Sequence, residues 1–195
     1  MNKFIYEEEE QLPDDICKDI IKRCEQYFEE QKLLNHNKEN NNKEEKDPIS
    51  LDILPYSLNN EFWSKIKDKL SSTLIDAMKQ YYSKFDEEIY HLNKLHKELV
   101  IENMTLNKHL PNKETITKIC DFNIRDEKYY RILTYVFYLN DINNGGESIF
   151  ENGIIIKPKQ GKLLLFPSDW LFSRREEKII TDSKYIITGW INVGI

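Results

Sequence analysis

The side chains best suited to metal binding or nucleophilic chemistry in this sequence are its four histidines and three cysteines. His36 lies in a polar run, and His91 and His96 are five residues apart, whereas helical ligand pairs prefer a spacing of three or four. We expect these histidines to be solvated. The cysteines form no Cys-x-x-Cys pair, so we expect buried small hydrophobic residues rather than a zinc site or a disulfide framework. They are Cys17, Cys24 and Cys120.

The elements that would position a site fall into two halves. Residues 1–98 are predicted to be mainly helical, with apolar residues at helical spacing between positions 16 and 28 and again from Ser57 to Phe85. Between these helices, residues 33–48 are polar and charged with little to bury, which predicts a mobile loop.

From about residue 99 the pattern changes to short β-branched and aromatic runs separated by turn clusters such as NDINNGGES and KPKQG. The runs RILTYVFYL and KLLLF are almost continuously apolar, which indicates strands buried on both faces. The pattern predicts an α+β architecture, with an antiparallel β core in residues 99–195 and the long helices packed on its outside. A length of 195 residues with 39% hydrophobic content fits one domain, residues 1–195.

The charge pattern argues against several classes of partner. The 34 acidic residues outnumber the 28 Lys and Arg, and the two signs are interspersed without a basic stripe, so we expect no nucleic-acid binding. No run approaches the ~20 apolar residues of a membrane-spanning helix. The start MNKFIYEEEE lacks the basic-then-apolar order of a signal peptide. We expect a cytoplasmic protein, or one packaged from the cytoplasm into a virion, without membrane contact.

Three blocks of the second half are characteristic in their order and spacing: YRILTYVFYLNDINNGGESIF, KPKQGKLLLFPSDW and KYIITGW. Together they resemble the Fe(II)- and 2-oxoglutarate-dependent dioxygenases, specifically the prolyl 4-hydroxylase-like branch found in phages and large viruses. The N-terminal LPDDICKDIIKRCE also resembles the helix that opens such proteins. The resemblance implies a double-stranded β-helix, or jelly roll, that holds a metal between its sheets.

The metal site implied by this resemblance has two histidines and one carboxylate on one face of an iron ion. The first two ligands come as His-x-Asp or His-x-Glu, where this chain reads Ile119, Cys120 and Asp121. The third ligand position is Arg174. Isoleucine has no donor atom, and a guanidinium has no lone pair to give a metal. We therefore predict a degenerate metal site without a bound cofactor, in which Asp121 is the one remaining ligand.

The co-substrate contacts implied by the resemblance are also incomplete. Lys184 matches the lysine that pairs with the distal carboxylate of 2-oxoglutarate, but Ile116 replaces a tyrosine that usually touches the co-substrate. Two cations, Arg174 and Lys184, against the single carboxylate of Asp121 predict a positive pocket that binds small anions weakly.

Two orientations of Arg174 are consistent with the sequence. Pointing inward, it would place a positive charge where the metal's would lie, and a pair with Asp121 would remove the cost of burying a lone carboxylate. Pointing outward, it would leave Asp121 solvated. His109, ten residues before Ile119, could supply a ligand only by disrupting the strand that carries Asp121.

These positions predict a catalytically degenerate dioxygenase-like protein, or pseudoenzyme. It would act as a binding or structural module for a protein or peptide partner, or through self-association. One alternative is an active prolyl 4-hydroxylase-like dioxygenase with unconventional ligands, which would use Fe(II) and 2-oxoglutarate. Another is a virion structural or assembly protein.

Overall fold

The computed structural model describes residues 4–36, 48–85, 99–113, 118–125 and 128–194. Its helices are α1 (Asp14–His36), α2 (Ile53–Ser57) and α3 (Glu61–Lys84). Its strands are β1 (Tyr6–Glu8), β2 (Ile49–Asp52), β3 (Leu99–Ile101), β4 (Thr105–His109), β5 (Ile124–Arg125), β6 (Tyr129–Tyr138), β7 (Ser148–Phe150), β8 (Ile155–Ile156), β9 (Leu163–Pro167), β10 (Arg174–Glu176) and β11 (Lys184–Gly194). Within these residues, no helix is both long and apolar enough to cross a membrane.

The two long helices begin with local signals that are legible in the sequence. Asp14 and Asp15 occupy the first turn of α1, where the helix dipole favours negative charge. Asn60 caps α3, since its side-chain oxygen accepts hydrogen bonds from the backbone N–H groups of Phe62 and Trp63 at 3.0 and 3.2 Å. Each helix therefore starts at a defined residue and presents one apolar face to the sheet.

The strands form two antiparallel sheets. The major sheet has the order β1-β9-β6-β11-β4-β2, with β3 also paired to β11 and β5 to β6. The minor sheet has the order β10-β7-β8. A single bridge between Ile119 and Arg174 adds one more backbone pair at its β10 edge. Two strands join most of these elements: β11 pairs with β3, β4 and β6, and β6 pairs with β5, β9 and β11.

Apolar side chains form two cores, one on each face of the major sheet. The first lies between that sheet and the helices and includes Leu70 and Leu74 of α3 with Tyr135 of β6 and Ile187 of β11. The second lies between the two sheets and includes Phe150, Phe166 and Ile186, among others. The last six residues of β6 are buried without interruption, which confirms that this strand is covered on both faces.

The predicted α+β architecture with long helices outside a β core is confirmed, but several boundaries differ. The N-terminal half also contributes strands β1 and β2. Helix α1 continues to His36, so the loop predicted over 33–48 is wrong for its first four residues. Leu33 and Leu34 favour helix and extend the helix-forming run that precedes them. Residues 37–47 lie outside the described residues, as do His91 and His96. The strand predicted to carry Asp121 is reduced to the Ile119 bridge and β5 where the chain is described.

Candidate functional site

The two positions where the resemblance implies histidines face each other directly. The backbone N–H of Ile119 donates to the carbonyl of Arg174 at 2.7 Å, and the N–H of Arg174 donates to the carbonyl of Ile119 at 3.0 Å. Arg174 begins β10 of the minor sheet, and Asp121 lies two residues after Ile119. The fold thus brings together all three positions of the expected triad. Ile116 lies outside the described residues.

Arg174 points inward, which settles the orientation that the sequence left open. Its side chain is 9% exposed and forms an ion pair with Asp121, which is 8% exposed. The second carboxylate oxygen of Asp121 accepts a hydrogen bond from the indole N–H of Trp190 at 3.2 Å. Burial alone would lower the pKa of the Arg174 guanidinium, but the charges of Asp121 and Glu176 outweigh burial and raise that pKa. The cation is therefore permanent, and both carboxylate oxygens of Asp121 are engaged.

A second layer of contacts holds Trp190 against Asp121. The guanidinium of Arg131 lies 3.5 Å from the centroid of the Trp190 ring. The same group makes two hydrogen bonds with the carboxylate of Glu102, at 3.0 and 3.2 Å. A two-point arginine–carboxylate pair fixes the plane of the guanidinium, so it also fixes the ring that stacks on it. Asp121 is consequently held between two ordered partners.

Lys184 is the most deeply buried charged group of the site. Its side chain is 2% exposed, at the start of β11. The ammonium donates to the backbone carbonyl of Gly146 at 3.0 Å and to the carboxylate of Glu176 at 2.6 Å. A buried ammonium without such partners would be costly, and these two contacts offset that cost.

Glu176 is the functional residue that sequence reasoning missed. It bonds Lys184 through one oxygen, and its other oxygen accepts from the Ser148 hydroxyl at 2.7 Å and lies 3.4 Å from Nε of Arg174. Burial alone would raise the pKa of this carboxyl, but the charges of Lys184 and Arg174 lower it. The signal was available, because residues two apart on a strand share a face, so an inward Arg174 on a strand implies an inward Glu176.

The charge balance of the site corrects an argument made from the sequence. Two cations and one carboxylate predicted a net positive pocket, but Glu176 adds a second carboxylate. The described side chains of the cluster, Asp121, Arg174, Glu176 and Lys184, then sum to zero. Weak anion binding was inferred from the excess charge, and that reason no longer holds.

The residues present do not fit a two-histidine, one-carboxylate iron site. Ile119 offers no donor, Arg174 no lone pair, and Asp121 is already bonded to Arg174 and Trp190. His109 lies on β4 opposite Lys184. Over the ranges that the structure describes, no three His, Cys, Asp or Glu side chains are grouped as a metal site.

The cysteines fall into two environments. Cys17 and Cys24 of α1 are buried, as expected. The expectation was wrong for Cys120, which is exposed, because it neighbours the inward-facing Asp121 in an extended segment and so faces the other way. It therefore cannot join Asp121 in a common site.

Comparison with known proteins agrees with the fold. Residues 101–192 match the profile of the 2OG-Fe(II) oxygenase superfamily. The match covers slightly less than half of the chain, which is therefore similar to this superfamily over that part. A search of curated proteins found no match to the sequence.

The solved structures with a similar fold include prolyl hydroxylases. The viral collagen prolyl hydroxylase of Paramecium bursaria Chlorella virus-1 is 16% identical, with a TM-score of 0.68 over 97% of this chain and 96% of that one. A prolyl-4-hydroxylase of Pseudomonas putida is 18% identical, with a TM-score of 0.55 over 97% and 92%. The prolyl hydroxylase of Trichoplax adhaerens, solved with a hypoxia inducible factor peptide fragment, is 18% identical, with a TM-score of 0.59 over 97% and 83%. These likenesses confirm the jelly-roll fold.

Proposed function

We propose that this protein is a catalytically degenerate 2-oxoglutarate/Fe(II) dioxygenase-like protein that acts as a binding or structural module. The observation that carries the proposal is the ion pair between Arg174 and Asp121. The one carboxylate that remains of the expected triad is held by a guanidinium at the position of the third ligand. A single carboxylate that is already paired does not hold a divalent ion against water.

The module would act on a protein or peptide partner, or through self-association, with the jelly roll as a rigid support. A cytoplasmic or virion location and a viral origin stay predictions from the sequence. The two alternatives differ in what they require: an active prolyl 4-hydroxylase-like enzyme needs Fe(II) and 2-oxoglutarate, and a virion assembly protein needs a large interface. Metal binding separates the enzyme from the other two.

The test is a metal measurement on the full chain. The purified protein is incubated anaerobically with Fe(II), or with Mn(II) as a stable substitute, then desalted and analysed for bound metal. We expect no stoichiometric metal and no binding heat at micromolar concentrations. Stoichiometric metal that is lost on Asp121→Ala would contradict the proposal and favour the enzyme with unconventional ligands.

A second variant checks that the ligand positions are correctly assigned. Ile119→His combined with Arg174→His restores two imidazoles and frees Asp121, so we expect this double variant to bind Mn(II) or Fe(II). Circular dichroism establishes that it is folded, and Ile119→Ala with Arg174→His serves as the two-ligand control. A folded double variant without metal would show that position 119 or 174 is not the ligand position.

A further inference from the structure

We infer that the pocket around Lys184 is a carboxylate-binding site that the chain fills with its own Glu176, which thereby excludes external carboxylates. The inference rests on the proposed function, because it concerns the co-substrate pocket of a site that has lost its metal ligands. In the family that this chain resembles, the matching lysine pairs with the distal carboxylate of 2-oxoglutarate. Here the carboxylate that pairs with it belongs to the protein.

The contacts of Glu176 are those of a bound carboxylate. One oxygen lies 2.6 Å from the Lys184 ammonium, and the other accepts from the Ser148 hydroxyl at 2.7 Å. Nε of Arg174 lies 3.4 Å from that second oxygen. Each oxygen therefore has a donor of its own, and two full positive charges face the group.

The register of the minor sheet places Glu176 beside Lys184. On the minor sheet, Glu176 of β10 is the Cα partner of Ser148 on β7, so both side chains lie on the inner face. Lys184, at the start of the major-sheet strand β11, reaches across to them. Arg175, between the two inward residues, faces out and pairs with Glu177 at the surface, at 2.9 Å. The strand register alone sets which glutamate enters the pocket.

A carboxylate that belongs to the chain occupies this pocket far more readily than a free carboxylate does. Binding within one chain proceeds at an effective concentration of the order of millimolar or higher, without the loss of translational freedom that a free ligand suffers. The Lys184 side chain is 2% exposed, so an external dicarboxylate must first displace Glu176. Wild-type protein is therefore expected to show no binding of 2-oxoglutarate.

Removing the Glu176 carboxylate distinguishes an ordinary buried ion pair from a ligand site that the chain fills itself. Glu176→Ala deletes a fragment of the size of acetate and leaves Lys184, Arg174 and Ser148 facing the space. Free acetate should enter that space, bind only the folded state and raise its melting temperature. Glu176→Gln fills the same space without charge and should not respond.

The experiment compares melting temperatures in sodium acetate and in sodium chloride of equal concentration, up to about 100 mM. We expect acetate to raise the melting temperature of Glu176→Ala by at least ~2 °C over chloride. No difference is expected for wild type, Glu176→Gln or the matched surface variant Glu177→Ala. An equal response in Glu176→Ala and Glu177→Ala would overturn the inference.

Calorimetry on the metal-free wild type keeps the inference testable if Glu176→Ala does not fold. Titration with 2-oxoglutarate should give no binding heat at millimolar concentration, and binding that disappears in Lys184→Met would overturn the inference. This failure is distinct from that of the proposed function. Bound metal contradicts the proposed function, whereas carboxylate binding without metal contradicts only the self-filled pocket.

Discussion

The two faces of strand β11 bury different kinds of side chain. Toward the helices it presents Tyr185, Ile187 and Ile191, which belong to the larger apolar core. Toward the minor sheet it presents Lys184 and Trp190, which bond to Glu176 and Asp121. The helix face is stabilised by apolar area removed from water. The inner face combines a smaller apolar core, which includes Ile186, with charges that must each have a partner.

This difference indicates how the site could change its chemistry while the fold is kept. The helix face keeps its size and shape requirements whatever happens between the sheets. The inner face tolerates a change of chemistry as long as each buried charge keeps a partner. An arginine at position 174 meets that condition because Asp121 and Glu176 both face it.

The largest expected effect comes from breaking the charge match. Arg174→Met should lower the free energy of unfolding by about 3–5 kcal/mol, because it leaves Asp121 buried with only Trp190 as a donor. Adding Asp121→Asn in that background should recover part of the loss. Urea denaturation measures both, and Arg175→Met, on the outward side of the same strand, is the matched control. An equal loss in the two arginine variants would show that the inner face has no special requirement for charge matching.

A smaller effect is expected from removing one charge while keeping its shape. Glu176→Gln should cost about 1.5–3 kcal/mol near neutral pH, the usual contribution of hydrogen bonds to a charged group. Because folding lowers the pKa of Glu176, its contribution is complete above the ordinary value of 4.5 and is lost as the pH falls through the folded-state pKa. The difference between wild type and variant should therefore be constant above about pH 5 and shrink below it. Denaturation series from pH 7 to pH 3 check this, and a difference that grows with acidity would contradict the assigned pairing.

The smallest effect is expected on the helix face. Ile187→Val removes one methylene from a side chain that is 0% exposed and should cost about 0.5–1.5 kcal/mol. That cost should not change between pH 7 and pH 3, because the substitution removes no contact with a group that gains or loses a proton in this range. The same denaturation series provides the measurement. A pH-dependent cost would mean that the two faces are energetically coupled through the strand.

Much of the fold was predictable because its signals are local or periodic. Helical spacing located α1 and α3, and the continuous apolar runs located β6 and β9. The strands β1 and β2 were missed because they are short edge strands whose pairing with β9 and β4 is a tertiary event. A segment of three or four residues carries too little pattern to separate a strand from a loop.

The candidate site was also predictable only in part. The resemblance located Ile119, Asp121 and Arg174, which the fold brings together. It assigned no role to Glu176, whose importance depends on tertiary contacts with Ser148, Arg174 and Lys184. Nor could the sequence decide the direction of Arg174, which depends on the pairing of β10 with β7.

The ion pair of Arg174 with Asp121 also has an evolutionary consequence. Histidine restored at position 174 alone would deprive Asp121 of its cation while Ile119 still offers no donor, so stability would fall with no ligand set gained. Histidine restored at position 119 alone would sit beside a guanidinium that already holds the carboxylate. Neither single substitution toward an iron site therefore gains a ligand set. Under the proposed function, the Arg174–Asp121 pair would oppose the return of a metal site by single substitutions.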